Sequence, residues 1–291
     1  MLGASLYVPA NRPDLADIAN RKKYPWVRSL VLCTEDALHE RDVEQALLNL
    51  AALLPTLAIS TLPCFIRPRN SGVLKRLLSM EGIQYIHGFV LPKIGLHTLN
   101  DWLRVWDDRY NHYLMPILET AEAFDRGKME LLRDYLDDSG LRSRIPCLRI
   151  GGNDLLNLLG IRRARGATIY DTPLRNVIAD LVCTFYPAGY QLSAPVFEYL
   201  DTPNVLKREV KADLQHGLVG KTAIHPTQIP VIESCYQIGR EDYNMAVAIL
   251  DDNAAAVFKQ GESFCEPATH RHWATGVLER VQLFGLVESG P

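Results

Sequence analysis

The sequence predicts an α/β protein, a (β/α)8 TIM barrel with a C-terminal helical extension. Eight short β-rich runs recur along the chain, and most are continuously apolar, as strands covered on both faces of a parallel sheet are. Segments with apolar residues at i, i+3 and i+4 separate them, the pattern of helices with one buried face. No GxGxxG turn follows any run, which disfavours an open doubly wound sheet. Parallel neighbours need right-handed helical crossovers, and eight such units close into a barrel.

In chain order, strands are expected at 5–9, 29–34, 63–67, 87–92, 113–118, 147–151, 190–197 and 222–225. Val43, Ala46, Leu47, Leu50, Ala51 and Leu54 make the first clear apolar helix face. Val73, Leu74, Leu77 and Leu78 make the next, followed by Leu99, Trp102, Leu103 and Trp106. The two tryptophans have the spacing of residues packed against the sheet rather than of a ligand box. Leu132, Tyr135 and Leu136 follow, then Leu174, Val177, Ile178, Leu181 and Val182. Thr172-Pro173 and Thr202-Pro203 read as helix starts, a capping hydroxyl followed by a proline that loses no hydrogen bond there. Beyond the eighth strand, a long helix is expected over 240–259, a break over 262–267 and a further helix over 273–284. The barrel then occupies 1–239, and 240–291 forms a lid or oligomerisation arm of the same domain.

A chain of 291 residues, 47% hydrophobic and 22% charged, has enough apolar side chain for a sizeable core. Lys+Arg 31 against Asp+Glu 34 leaves a net charge of −3, with no basic excess to hold nucleic acid or an anionic membrane surface. Residues 1–13 lack a basic start and contain Pro9, unlike a signal peptide. Residues 45–66 carry no charge and are long enough to span a bilayer. Pro55, Pro63 and scattered polar residues favour a helix followed by a buried strand. Six cysteines without a CxxC pair read as reduced core thiols, and a cytoplasmic location is expected.

Chemistry in such a barrel belongs at the C-terminal ends of the strands. Those ends carry Asn11/Arg12, Glu35/Asp36, Arg67, Lys93, Glu119, Asp154, Glu198/Asp201 and His225. Glu119 and Asp154 directly follow buried runs and have no local lysine or arginine. Burying them uncompensated is costly, and a hard divalent cation such as Mg2+ is one natural compensation. The other is that Asp154 caps the helix beginning at Leu155 while Glu119 pairs with a distant arginine. Arg67 can grip a substrate carboxylate through two parallel hydrogen bonds, or pair with a neighbouring strand-end acid. Lys93 suits an electrostatic role; a Schiff-base role would need an amine that gives up its proton among acids.

The ordered motifs resemble a known family. They are Ser5-Leu6-Tyr7-Val8-Pro9-Ala10-Asn11-Arg12-Pro13-Asp14, Glu35-Asp36-Ala37, Arg67 and Val90-Leu91-Pro92-Lys93. Leu118-Glu119-Thr120-Ala121, Gly151-Gly152-Asn153-Asp154-Leu155 and Gly220-Lys221-Thr222-Ala223-Ile224-His225-Pro226 follow. Together they resemble the citrate lyase beta-subunit-like branch of the HpcH/HpaI aldolase superfamily, over nearly the whole chain. Residues 168–174 and 190–198 add a narrower likeness to the TIM-barrel carbon–carbon bond lyases of tellurium-resistance and stress-response gene clusters.

The resemblance implies a Mg2+-dependent carbon–carbon lyase that assembles into homo-trimers or hexamers and acts on a small keto-acid substrate through a metal-stabilised enolate. It assigns Glu119 and Asp154 as metal ligands and Arg67 as the residue that grips the keto-acid carboxylate. Gly152 and Asn153 would approach the same group through their backbone, and Arg12 is a further substrate-binding candidate. Glu35, Asp36 or metal-bound water would serve as general base, with Lys93 nearby. Ala194-Pro195 stands where the seventh strand of relatives has Asp-Gly. Cys265-Glu266 stands where thioester-using relatives carry an aspartate that reaches a neighbouring subunit. These departures argue against acyl-CoA or acyl-carrier chemistry, and they keep open a non-catalytic ligand-binding or assembly component. Arg162, Arg163 and Arg165, beside Gly160 and Gly166, suggest a phosphorylated substrate or a solvated basic loop.

Overall fold

The structure is a computed structural model and describes residues 3–106 and 109–287. Eight parallel strands follow one another around a barrel: β1 Gly3–Pro9, β2 Ser29–Cys33, β3 Cys64–Arg67, β4 Gly88–Leu91, β5 Tyr113–Leu118, β6 Leu148–Ile150, β7 Leu192–Ser193 and β8 Gly220–Ala223. From β1 to β7 each strand pairs with the next, and β1 also pairs with β8, Ser5 opposite Thr222. Closure between β7 and β8 comes from the Ala194–Lys221 bridge, where the Ala194 N–H donates to the Gly220 carbonyl at 2.7 Å. β7 is shorter than the expected 190–197 because Pro195 has no N–H to extend the ladder.

The helices are α1 Leu15–Ala19, α2 Val43–Leu53, α3 Ser71–Leu78, α4 Leu99–Leu103, α5 Arg126–Asp138, α6 Gly152–Leu158, α7 Leu174–Phe185, α8 Pro203–Gln215 and α9 Gln228–Tyr236, then α10 Arg240–Leu250 and α11 Pro267–Phe284. Most of their expected apolar faces are buried, as in α2, where Val43, Ala46, Leu47, Leu50 and Leu53 are covered, although Ala51 of the expected face is exposed. The uncharged stretch 45–66 is α2, a 3-10 segment and the approach to β3. By length and apolarity the helical run Glu40–Ile59 could cross a membrane; here it is a partly buried helix of the barrel. Trp102 is buried, and Trp106 meets Phe89 edge-on, although α4 itself ends at Leu103. Of the two expected caps, Thr172 Oγ1 accepts the Leu174 N–H at 3.3 Å, whereas the buried Thr202 hydroxyl caps nothing.

The chain divides into two compact units, Leu2–Ile229 and Pro230–Pro291. In the second, the helix expected over 240–259 stops at Leu250. Asp251 leaves helical geometry and its carboxylate accepts the Asn253 N–H at 2.8 Å, a local bond that competes with helix continuation. An antiparallel hairpin follows, β9 Phe258–Gln260 with β10 Ser263–Cys265, turning at Gly261 with φ +58°. Cys265 is fully buried with Ile249, Ala274 and Val277 in this unit's core.

Inside the barrel, Val31, Phe65, Val90, Met115, Ile117 and Cys147 pack together, with Tyr7 and Val219 against them. Cys33, Cys64 and Cys147 are buried free thiols, as their apolar runs predict. Lys221, on β8, is fully buried and binds Glu209 at 2.9 Å and Asp213 at 2.7 Å, both on α8. Glu209 also pairs with the buried Arg163, which holds Glu198 and donates to the Val196 carbonyl at 2.7 Å. Burial pushes the Asp213 carboxyl up to about 6, against the pull of Lys221. Glu209 is the shared anion of this network, so Glu209→Ala would leave two buried cations underpaired. The expected loss is about 3–5 kcal/mol of unfolding free energy, read by urea denaturation.

Candidate active site

A cavity of ≈230 Å3 opens at the C-terminal ends of the strands, among Tyr7, Asp36, Arg67, Glu119, Arg149, Gly151–Asp154 and Thr222. Glu119 follows β5 and Asp154 lies in the first turn of α6. Asp154 is therefore not the cap of a helix starting at Leu155; Gly151 precedes the helix. Among the described residues, neither carboxyl forms an ion pair with a lysine or arginine. Burial and the charge of Asp154 push Glu119 up to about 8. Burial and the charge of Asp36 likewise raise Asp154, against the attraction of Lys93 and Arg67.

Two backbone features hold Glu119 in this unfavourable place. The Lys93 N–H donates to Glu119 Oε1 at 2.8 Å, and Lys93 adopts φ +54°. A side-chain-bearing residue in that region costs of order 1 kcal/mol. On the other side, a Cβ on Gly151 would lie 2.2 Å from Glu119 Oε2. Glycine is needed there because the carboxyl rests on its backbone. At Gly152 the missing side chain makes room for Pro195, whose Cβ would be 2.7 Å from an added Cβ. The Ala194-Pro195 departure thus serves barrel closure and packing against α6.

Arg67 is aimed by its neighbours. Its Nη1 lies 3.1 Å from Glu35 Oε2, while Nε and Nη2 reach Cys33 Sγ at 3.2 and 3.1 Å. Its guanidinium also sits 5.1 Å from the Tyr7 ring centroid. Glu35 is only 3% exposed and both its oxygens are engaged: Lys93 Nζ binds Oε1 at 2.6 Å and the Asp36 N–H donates to Oε2 at 2.9 Å. Burial favours loss of the Lys93 proton, but the hydrogen bond to Glu35 and the charges of Glu35 and Asp36 outweigh it and raise the amine. That is the reverse of what imine formation requires. Asp36 lines the cavity and is half-exposed. Burial would raise it, yet Glu35 hydrogen bonding and the charges of Lys93 and Arg67 keep it below the usual carboxylate range.

The strand-end residues do not all converge. Glu35, Asp36, Arg67, Lys93, Glu119, Gly152, Asn153 and Asp154 come together. Arg12 instead makes a two-bond pair with Asp14, both bonds at 2.8 Å, and does not line the cavity. His225 bonds Thr227 at 2.8 Å, and Asp201 pairs with Arg165. Arg163 is sealed in the Glu198–Glu209 network, so the three arginines form no common anion site. Arg162 alone lines a shallow neighbouring hollow, with Asn153, Asn157 and Glu198.

The family model described as C-C bond lyase of the TIM-barrel fold matches residues 1–286. The chain belongs to this family of carbon–carbon bond lyases. No curated protein matches it. The lyase shares its fold with the CitE protein of Mycobacterium tuberculosis, solved with magnesium, acetoacetate and coenzyme A: TM-score 0.72, 19% identity, covering 96% of this chain and 98% of that one. The citrate lyase beta subunit of the same organism, complexed with oxaloacetate and magnesium, gives TM-score 0.61 at 20% identity over 81% and 97% of the two chains. RipC from Yersinia pestis gives 0.59 at 19% over 81% and 94%.

Several residues around the lyase's cavity had no role in the sequence reading. Arg69 donates to the carbonyls of Thr34 at 3.3 Å, Glu35 at 3.1 Å and Leu38 at 2.7 Å, fixing the loop that carries Glu35 and Asp36. Tyr7, Arg149 and Thr222 line the cavity from within the strands. The available signal was a polar residue at an inward position of an otherwise apolar run, Arg149 above all.

No cluster of three or more His, Cys, Asp or Glu side chains is poised for a metal among the described residues. Two carboxylates are nevertheless enough for Mg2+, which leaves other positions to water and substrate oxygens. The all-oxygen donors and the uncompensated carboxyl pair fit such a cation. Gly151→Ala would displace Glu119 and weaken divalent-cation binding about 10–100-fold, measured by calorimetry, with the circular dichroism spectrum unchanged.

Proposed function

We propose that this lyase is magnesium-dependent and cleaves or forms a carbon–carbon bond in a small keto-acid-containing substrate. The observation that carries this is the placement of Glu119 and Asp154, neither in an ion pair with a lysine or arginine among the described residues, in one cavity with Arg67. Structures of the same fold hold magnesium with acetoacetate and coenzyme A, or with oxaloacetate, which supports the reading. Glu119 and Asp154 would hold the cation. When bound, it would supply Lewis-acid stabilisation of the enolate charge that develops on the keto acid.

The remaining work falls to the chain's own side chains. Arg67, locked by Glu35 and Cys33, presents its spare donors to the substrate carboxylate without having to reorganise. Gly152 and Asn153 line the same wall of the cavity. Glu35 is held by Arg67, Lys93 and a backbone N–H, so it positions these cations rather than accepting a proton. Asp36 lines the cavity as an ionised carboxylate and is the better-placed proton acceptor. Lys93, held as an ammonium, steadies both acids. With Arg163 sealed away, carboxylate recognition fits this site better than phosphate recognition.

Asp154→Asn and Glu119→Gln are expected to abolish both Mg2+ binding and bond cleavage. Thermal midpoints measured in chelator should hold or rise, because each change removes a poorly solvated acid. Full turnover by Asp154→Asn in chelator would refute the assignment.

A further inference from the structure

Three cationic side chains are buried among the described residues: Arg149, Arg163 and Lys221. Arg163 and Lys221 have carboxylate partners. Arg149 has none among the described residues. Its Nη2 donates to Thr222 Oγ1 at 2.7 Å, its Nη1 makes only a 3.7 Å contact with Met115 Sδ, and its guanidinium lies 5.5 Å from the Tyr7 ring centroid. A guanidinium has five N–H donors, so most of its capacity is unspent in a place that water scarcely reaches. A desolvated cation without a counter-charge is costly, and this one faces the cavity.

Its depth is set by register. Ile117 pairs with Arg149 and Leu118 with Ile150, so Glu119 and Gly151 stand two residues nearer the mouth. At roughly 3.3 Å per residue, Arg149 leaves its strand about 7 Å below Glu119 along the strand direction. That distance is comparable to the length of a small diacid. Tyr7 lies beside both Arg67 and Arg149, and its ring face attracts each guanidinium. A cavity of ≈230 Å3 suits a compact acid rather than a nucleotide.

We propose that Arg149, steadied by Thr222, is the subsite for a second carboxylate, so that the lyase takes small 2-oxo diacids in preference to the corresponding monoacids. This rests on the magnesium and keto-acid reading above, with the keto-acid end at Glu119, Asp154 and Arg67 and the far carboxylate on the floor.

The test is calorimetric, on the full chain loaded with Mg2+, with two matched pairs of ligands. Oxaloacetate is compared with 2-oxobutyrate, and 2-oxoglutarate with 2-oxovalerate; each pair differs by a terminal carboxylate against a methyl group. The wild type should prefer one or both diacids by about tenfold or more. Arg149→Met should erase that preference by weakening the diacid while leaving monoacid affinity within about threefold. Arg149→Lys, which keeps the charge and loses the fork, should retain part of the preference and serves as the test if the methionine variant does not fold. An unchanged diacid preference in either variant, or equal loss for both members of a pair, overturns the subsite but leaves the keto-acid reading standing. A Mg2+-loaded wild type that binds neither monoacids nor diacids overturns both.

Discussion

The charged forms of Glu119 and Asp154 disfavour each other, Glu119 is buried, and among the described residues neither forms an ion pair with a lysine or arginine. Much of the local structure serves to keep them there. Lys93 adopts a left-handed backbone conformation and presents its N–H to Glu119. Gly151 gives up its side chain so that the Glu119 carboxyl can lie on the backbone. Such strain is tolerated where the barrel around it over-determines the geometry. The same economy explains Arg69, which spends its donors on three carbonyls of the β2 loop and so keeps Glu35 and Asp36 in reach.

Around this pair the cations divide into two groups by partner rather than by residue type. Arg163 and Lys221 are neutralised by α8 and Glu198, and they hold the region around β8 together. Arg67 is shared between a carboxylate, a thiol and an aromatic face, with donors left over. Arg149 has a hydroxyl and a ring face but, among the described residues, no acid. Buried guanidiniums in one barrel therefore range from structural to available. What distinguishes them is whether a carboxylate of the chain has already satisfied the charge.

Much of the fold could be read from the chain because its signals are local. Continuous apolar runs, amphipathic intervals and their eightfold alternation reflect short-range periodicity. Where the expectations failed, a specific local bond was responsible. Asp251 captured the Asn253 N–H and ended α10 early, and Pro195 cut the seventh strand short. The site was partly legible for a related reason: a polar residue directly after an apolar strand must lie at one end of the barrel. That argument brought Asp36, Arg67, Lys93, Glu119 and Asp154 to one rim, but it could not separate them from Arg12, His225 or Asp201, which bond to near neighbours in sequence or to the chain's own basic loop.

By itself the sequence determined a closed parallel barrel with acids and an arginine at its mouth, since strand period and residue type are carried by the chain segment by segment. Only the tertiary structure decided which charges were spent. It sealed Arg163 against Glu209, joined Glu35 to both Arg67 and Lys93, and left Arg149 bonded to Thr222 with no acid beside it among the described residues. The physical reason is that the state of a buried charge depends on partners contributed by other strands and helices, at distances of a few ångströms that spacing along the chain does not encode.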